Sequence, residues 1–268
     1  MTPRFVKIAS LVAILLASLS ALPVIAADHP TIVLVHGAFE TGKVWDKTKA
    51  ALEARGFHTK VVELPGRSTS PQKPETVTLN DYKQAILAAM KDEKAPVVLV
   101  GHSFGGIQIS NVAEDAPTRV KKLVYLAALL PKDGDSLDGL FQHDIAHKLK
   151  PTSFQVATDK ATASIAREDR VMLFCLDCRA DQQAAFPDTM VAEPFPPLGE
   201  AVHLTEARFG SVPRAYIYTT QDNILSYPFQ QEMVARAGVN ATFSIDSSHS
   251  PFLSQPEQLA QTIIKASE

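Results

Sequence analysis

The pentapeptide Gly101-His102-Ser103-Phe104-Gly105 constrains this chain more than any other feature. It has the form G-x-S-x-G and follows the apolar run Ala95-Pro-Val-Val-Leu-Val100, whose pattern predicts a short buried strand. Beyond it, Gly106-Ile-Gln-Ile-Ser-Asn-Val-Ala113 can continue as a helix. A strand that turns sharply into a helix at a serine leaves the hydroxyl exposed at the crest of the turn. Side chains at positions 101 and 105 would collide with neighbouring backbone there, which is the physical reason for glycine at both. A bare G-x-S-x-G also arises in ordinary glycine-rich turns, so the strand-turn-helix setting is what points to acyl transfer through Ser103.

A serine hydroxyl is a poor nucleophile until a histidine takes its proton, and the histidine needs a carboxylate to fix its tautomer. In the fold that carries this elbow, the chain order is serine, acid, histidine. Downstream, Arg214-Ala-Tyr-Ile-Tyr-Thr219 predicts a buried strand, and Asp222 falls just past its carboxyl end. Ala241-Thr-Phe-Ser-Ile-Asp246 predicts another, followed by Ser247-Ser248-His249-Ser250-Pro251 and a closing helix that ends near Lys265. Sites in open α/β sheets gather outside the carboxyl ends of the strands, so Ser103, Asp222 and His249 can converge from three loops. Taken singly, Asp222 and His249 also suit helix caps, and Asp246 is the rival acid. The early strand Thr31-Ile-Val-Leu-Val35 runs into His36-Gly37-Ala38-Phe39, which assigns the oxyanion donors to the backbone amides of Ala38 and Phe104. This chemistry calls for no metal and no cofactor.

The set His36-Gly37-Ala38, Glu63-Leu64-Pro65-Gly66, Gly101-His102-Ser103-Phe104-Gly105-Gly106, Thr220-Gln221-Asp222 and Ser248-His249-Ser250-Pro251 resembles the α/β-hydrolase superfamily. More narrowly, it is similar to the plant methyl-esterase and hydroxynitrile-lyase branch and its bacterial esterase relatives. The resemblance covers nearly all of the chain after the first thirty or so residues and implies the same triad, the same oxyanion donors, and small or aromatic esters as substrates. The lyase members place a threonine after the first motif histidine and a lysine after the catalytic histidine; here those positions are Gly37 and Ser250. That lysine receives the departing cyanide, so its replacement by serine favours a serine carboxylic ester hydrolase. Alternatives left open are a hydroxynitrile-lyase-like C–C lyase, a perhydrolase, an amidase, or a ligand-binding protein with slow turnover.

Alternation of strand and helix extends along the chain. A helix is expected from about Val44 to Arg55, a strand at Thr59–Glu63, a helix around Asn80–Lys91 and a strand at Val120–Leu126, which together predict a mostly parallel central sheet flanked by helices. From about 131 to 212 the alternation stops and aromatic residues and prolines dominate, so this stretch reads as an inserted cap that excludes water, shapes an apolar pocket and gates access. Which cap side chains line that pocket does not follow from the pattern. An apolar share of 46% gives residues 28–268 ample material for the core of a single domain.

Residues 1–27 belong to targeting. Arg4 and Lys7, the apolar Ile8–Leu22 and the small residues before Asp28 read as a secretory signal peptide, from which the mature chain is expected outside the cell or in a periplasm without stable membrane insertion. A net charge of −3 with no basic stripe leaves nucleic-acid binding unsupported, and the expected partner is a small-molecule ester.

Cys175 and Cys178, the only cysteines, can close a small disulfide in an oxidising compartment or remain free. Two other patterns are weaker. Gly37-Ala-Phe-Glu-Thr-Gly42-Lys43 imitates a phosphate-binding loop but has Val44 where the magnesium-ligating Ser/Thr belongs. His143-Asp-Ile-Ala-His147 spaces two histidines one helical turn apart with no evident third ligand, which reads better as a solvated or pocket-lining cap helix than as a zinc site.

Overall fold

β-branched and aliphatic residues fill the strands of the main sheet, and period-two alternation decides which side each faces. In a computed structural model, which describes residues 29–67 and 70–268, β1 (Ile32–Val35) turns Ile32 and Leu34 to one face of the sheet and Val33 and Val35 to the other. The remaining elements of the first half are α1 (Asp46–Glu53), β2 (Thr59–Val62), α2 (Leu79–Met90), β3 (Val97–His102), α3 (Gly105–Asp115) and β4 (Val120–Leu126). The expected signal peptide lies outside the described residues. Among those described, no helix is long and apolar enough to cross a membrane.

Six strands form the main sheet in the order β2-β1-β3-β4-β8-β9, where β8 is Arg214–Thr219 and β9 is Ala241–Ile245, and every neighbouring pair is parallel. The mostly parallel sheet expected from the sequence is therefore present. α2 is set by a capping box in which Thr78 accepts from the Asp81 N–H and the Asp81 carboxylate accepts from the Thr78 N–H, and it turns Tyr82, Ile86 and Met90 inward. The first helix is shorter than its pattern suggests, because its opening residues Gly42–Trp45 wind as a 3-10 turn.

The order of the sheet reverses between β1 and β3, and Ser103 sits at the carboxyl end of β3 beside that reversal. The turn is one of extreme closeness. A Cβ on Gly101 would lie 2.5 Å from the Gly105 carbonyl oxygen, one on Gly105 would lie 2.9 Å from that of Val35, and one on Gly106 would lie 2.2 Å from that of Leu129. Ser103 itself is held at φ 53°, a left-handed conformation that costs a non-glycine residue of order 1–3 kcal/mol.

Between β4 and β8 the chain builds its own small structure: α4 (Leu137–Phe141), β5 (Phe154–Val156), β6 (Thr162–Ile165), α5 (Arg170–Phe174), α6 (Ala180–Ala185), β7 (Glu193–Pro194) and α7 (Pro196–Gly199). The last third adds α8 (Tyr227–Ala237), α9 (Pro251–Ser254) and α10 (Pro256–Ser267). The three cap strands form an antiparallel sheet in the order β5-β6-β7, a feature their short lengths hid. Buried Leu140, Phe174, Phe186 and Leu198 join the cluster formed by Tyr82, Phe104 and Ile107 under the main sheet. Cys175 and Cys178 are joined as a disulfide.

One expectation is corrected here: His143–His147 is not a helix. The Asp144 carboxylate accepts from both the N–H and the hydroxyl of Ser226, at 2.7 and 2.5 Å, and also from the Ala146 N–H. That anchor draws the segment into turns and removes the one-turn spacing of the two histidines.

Replacing Gly106 by alanine forces a Cβ onto the Leu129 carbonyl. Gly106→Ala is therefore expected to lower the unfolding free energy by about 1–3 kcal/mol, read as a shift of the urea midpoint at unchanged slope.

Candidate active site

Each residue singled out from the sequence lies at or just past the carboxyl end of a strand: Ala38 beyond β1, Ser103 at β3, Asp222 beyond β8 and His249 beyond β9. His249 donates from Nδ1 to Oδ2 of Asp222 at 2.7 Å, and both side chains are fully buried. Asp222 is itself fixed. Its Oδ2 also accepts from the Thr219 hydroxyl at 2.8 Å and from Gln230 Nε2 at 3.3 Å, and its Oδ1 accepts from the Ile224 and Leu225 amides at 2.9 Å. With donors on both of its oxygens this carboxyl group cannot rotate, which holds the imidazole in the tautomer with Nε2 free to accept a proton. Asp246, the rival acid, is exposed and accepts from Thr220 and Gln221 instead, so it makes no contact with His249.

His249 Nε2 is buried and has no hydrogen-bond partner among the described residues, and Ser103 is half-buried with its hydroxyl likewise unpaired to it. The structure thus brings Asp222 and His249 into contact and leaves the Ser103–His249 bond unmade, as is common before a substrate tightens such a site. The Ala38 and Phe104 amides, expected as oxyanion donors, have no acceptor within the described protein. Ala38, Phe39 and Ser103 all line one cavity of about 730 Å³, whose walls are largely apolar side chains of the insertion such as Phe141, Phe154, Phe195 and Leu198. Among the described residues, the polar side chains that line it are Ser103, Asp138, Gln142, His147 and Lys150. His147, weighed above as a metal ligand, stacks on Phe141 with ring centroids 4.4 Å apart.

Several groups that the sequence pattern did not reveal hold this cavity's inner wall. Glu193, from the cap strand β7, accepts from the Phe39 N–H at 3.0 Å, the Arg67 guanidinium at 2.6 Å and the Tyr82 hydroxyl at 2.8 Å, with Glu193 and Arg67 entirely buried. Burial pushes the Glu193 carboxyl upward. Three donors, the Arg67 guanidinium foremost, oppose that rise without cancelling it. Burial and the adjoining Glu193 raise the Tyr82 phenol, so it keeps its proton for Glu193 while its oxygen accepts from Arg67 Nη1 at 3.4 Å. Arg67 reaches onward to the Glu40 carbonyl at 2.8 Å, and the Val191 N–H donates to the Phe39 carbonyl at 2.9 Å. Phe39, at φ 62°, is thus gripped by the cap on both sides of its backbone. No sequence spacing marks this clamp: Glu193 lies 126 residues from Arg67 and 154 from Phe39.

His36 shows the opposite use of burial. Desolvation, aided by the nearby Arg67 charge, lowers its pKa to about 3, so it is neutral. Nδ1 donates to the Gly37 carbonyl at 2.9 Å while Nε2 accepts from the Leu64 N–H at 3.3 Å; the Glu63 carboxylate 3.9 Å away therefore faces no charge.

Residues 32–262 match the model of the alpha/beta hydrolase family. The chain belongs to that family. Among its relatives, it is 30% identical over 253 residues to putative methylesterase 13, chloroplastic, of Arabidopsis thaliana, covering 90% of this chain and 57% of that one. It is 26% identical over 261 residues to polyneuridine aldehyde esterase of Rauvolfia serpentina, covering 91% and 97%. A pyrethroid hydrolase from Sphingobium faniae JZ-2 superposes with a TM-score of 0.78 at 25% identity, covering 89% of this chain and 97% of that one. The chain spans only 57% and 63% of the length of the first two curated relatives, both putative chloroplastic methylesterases.

Glu193→Gln leaves a buried guanidinium without its counter-charge and is expected to lower the unfolding free energy by about 3–5 kcal/mol in denaturant titration. The His36 assignment has a pH signature. An unfolded chain protonates this group near 6.5 and the folded one only near 3. The contribution to stability is therefore complete above 6.5 and lost as pH falls, approaching about 1.4 kcal/mol per pH unit. Denaturation midpoints from pH 7 to 5 should fall more steeply in the wild type than in His36→Gln.

Proposed function

We propose that the protein is a serine carboxylic ester hydrolase whose substrates carry a bulky, uncharged, apolar group. The observation that carries this reading is the buried Asp222–His249 pair, its free Nε2 lying at the same strand ends as a strained serine that opens into an apolar cavity. In the proposed reaction, Ser103 Oγ attacks the ester carbonyl as His249 Nε2 takes its proton, and the Ala38 and Phe104 N–H groups donate to the developing oxyanion. His249 returns the proton to the departing alcohol. Water then attacks the acyl-serine by the same route, releasing the acid. Asp222 stays ionised throughout and stabilises the imidazolium.

The methylesterase and esterase names of the plant relatives and the volume and lining of the cavity favour this reading, and the volume favours large apolar esters over methyl acetate-sized ones. We also propose that the chain is exported after loss of residues 1–27; a disulfide that persists in an oxidising compartment fits that route.

Steady-state hydrolysis of p-nitrophenyl esters from acetate to octanoate, by mature protein and Ser103→Ala, tests the proposal. The expected outcome is kcat/KM that rises with acyl length and falls by roughly 10⁴-fold or more in the variant at unchanged fold. Turnover by the variant close to wild type overturns the assignment, as does a well-folded wild type with no turnover.

A further inference from the structure

His102, the residue before the elbow serine, is a buried side chain that the reaction above does not use. Its ring lies within a cage formed by Trp45, Phe252 and His249, with centroids 6.5, 4.8 and 4.5 Å away. Both ring nitrogens face acceptors. Nδ1 is 3.0 Å from Oε2 of Glu40, and Nε2 is 3.0 Å from the main-chain carbonyl oxygen of His249. A neutral imidazole has one donor and one acceptor, so it would turn a lone pair toward one of these oxygens in a site that water does not reach.

The second proton has two conceivable homes. On Glu40, it would sit on Oε2, which already accepts the Gly37 N–H at 2.8 Å; a carboxyl hydroxyl oxygen is a poor acceptor for that bond. On His102, every contact becomes donor to acceptor. Burial opposes ionisation of Glu40, but His102 and the Gly37 amide outweigh it and hold the carboxyl below its usual range. The other ionisable groups around the pair are His36 and Arg67 on the side of the oxyanion loop and His249 on the other.

We propose that His102 carries protons on both ring nitrogens, forms a net-neutral ion pair with Glu40, and acts as a positioning residue for His249. The imidazolium spans the site. Its Nδ1–H ties it to the carboxylate that also receives the Gly37 amide, one residue before Ala38, and its Nε2–H fixes the backbone of the proposed base. His249 is thereby held at two points, by Asp222 through Nδ1 and by His102 through its carbonyl. Because the pair is neutral overall, it places no net charge beside the imidazolium that forms on His249 during the reaction.

Glu40→Gln tests this with nearly the same shape. One amide atom must occupy the Oε2 position: an oxygen accepts from Gly37 but gives a singly protonated His102 no second proton, and an NH₂ group opposes the Gly37 N–H. The inference rests on the esterase reading in its kinetic arm alone. In that arm, Glu40→Gln is expected to lower kcat by roughly 10-fold or more with KM nearly unchanged, because the base is displaced and the pocket is not. Wild-type kcat in the folded variant overturns the proposal.

The second arm needs no turnover. Wild-type protein labelled with ¹⁵N in its histidine rings, assigned through bonds, is expected to show two N–H protons on the His102 ring at pH 7. One proton overturns the proposal, whatever the fate of the variant. A wild type that shows both protons but hydrolyses no ester sinks the esterase reading while leaving this one standing.

Discussion

The first turn of α3 must lie almost in contact with the backbone of β1 and of the loop that follows β4, and most of this site follows from that closeness. Glycine at 101, 105 and 106 lets three carbonyls approach to distances that any Cβ would block. The helix start can then press against the sheet, and Ser103 is driven to a positive φ at the crest. The strain persists because surrounding strands over-determine it: the Ser103 N–H donates to the Leu126 carbonyl, and its own carbonyl accepts from Gly106 and Leu129. Closeness also sets the oxyanion loop, since a Cβ on Gly37 would meet that of Ser103 at 2.9 Å.

Much of this was legible in advance because it is written locally. β4 and β8 begin and end where alternation and flanking turns place them, and Asp222 and His249 each follow a strand by only a few residues. The choice of Asp222 over Asp246 needed the loop after β8, which turns the first inward onto His249 and leaves the second among Thr220 and Gln221 in solvent. Cap strands of three, four and two residues are too short to show a period, and two of them are stabilised by pairing with β6 alone. The turns at 143–147 depend on Ser226, 82 residues from Asp144. Glu40, Arg67 and Glu193 were opaque for the same reason: the oppositely charged side chains they face lie 62 and 126 residues away, and no spacing rule connects them.

Charge in this interior is placed in balanced groups. Asp222 is surrounded by donors, Glu193 faces a guanidinium, Glu40 faces His102, and His36, which has no such counterpart, gives up its proton. A low-dielectric core accepts ionised side chains only when each is matched by charge and by hydrogen bonds, and otherwise forces them neutral. The result is a polar belt around Gly37–Glu40, beneath a cavity whose own walls are mainly hydrocarbon.

That belt also limits how the cap can move. Phe39 gives its N–H to Glu193 and its carbonyl to Val191, so the β7 segment is stitched to the residue adjoining Ala38. Swinging this segment outward would break both stitches and expose the Arg67 charge at once. The inner edge of the cap is therefore a fixed hinge line, and breathing that admits a large guest is left to the far rim, where Gln142 and Lys150 meet solvent.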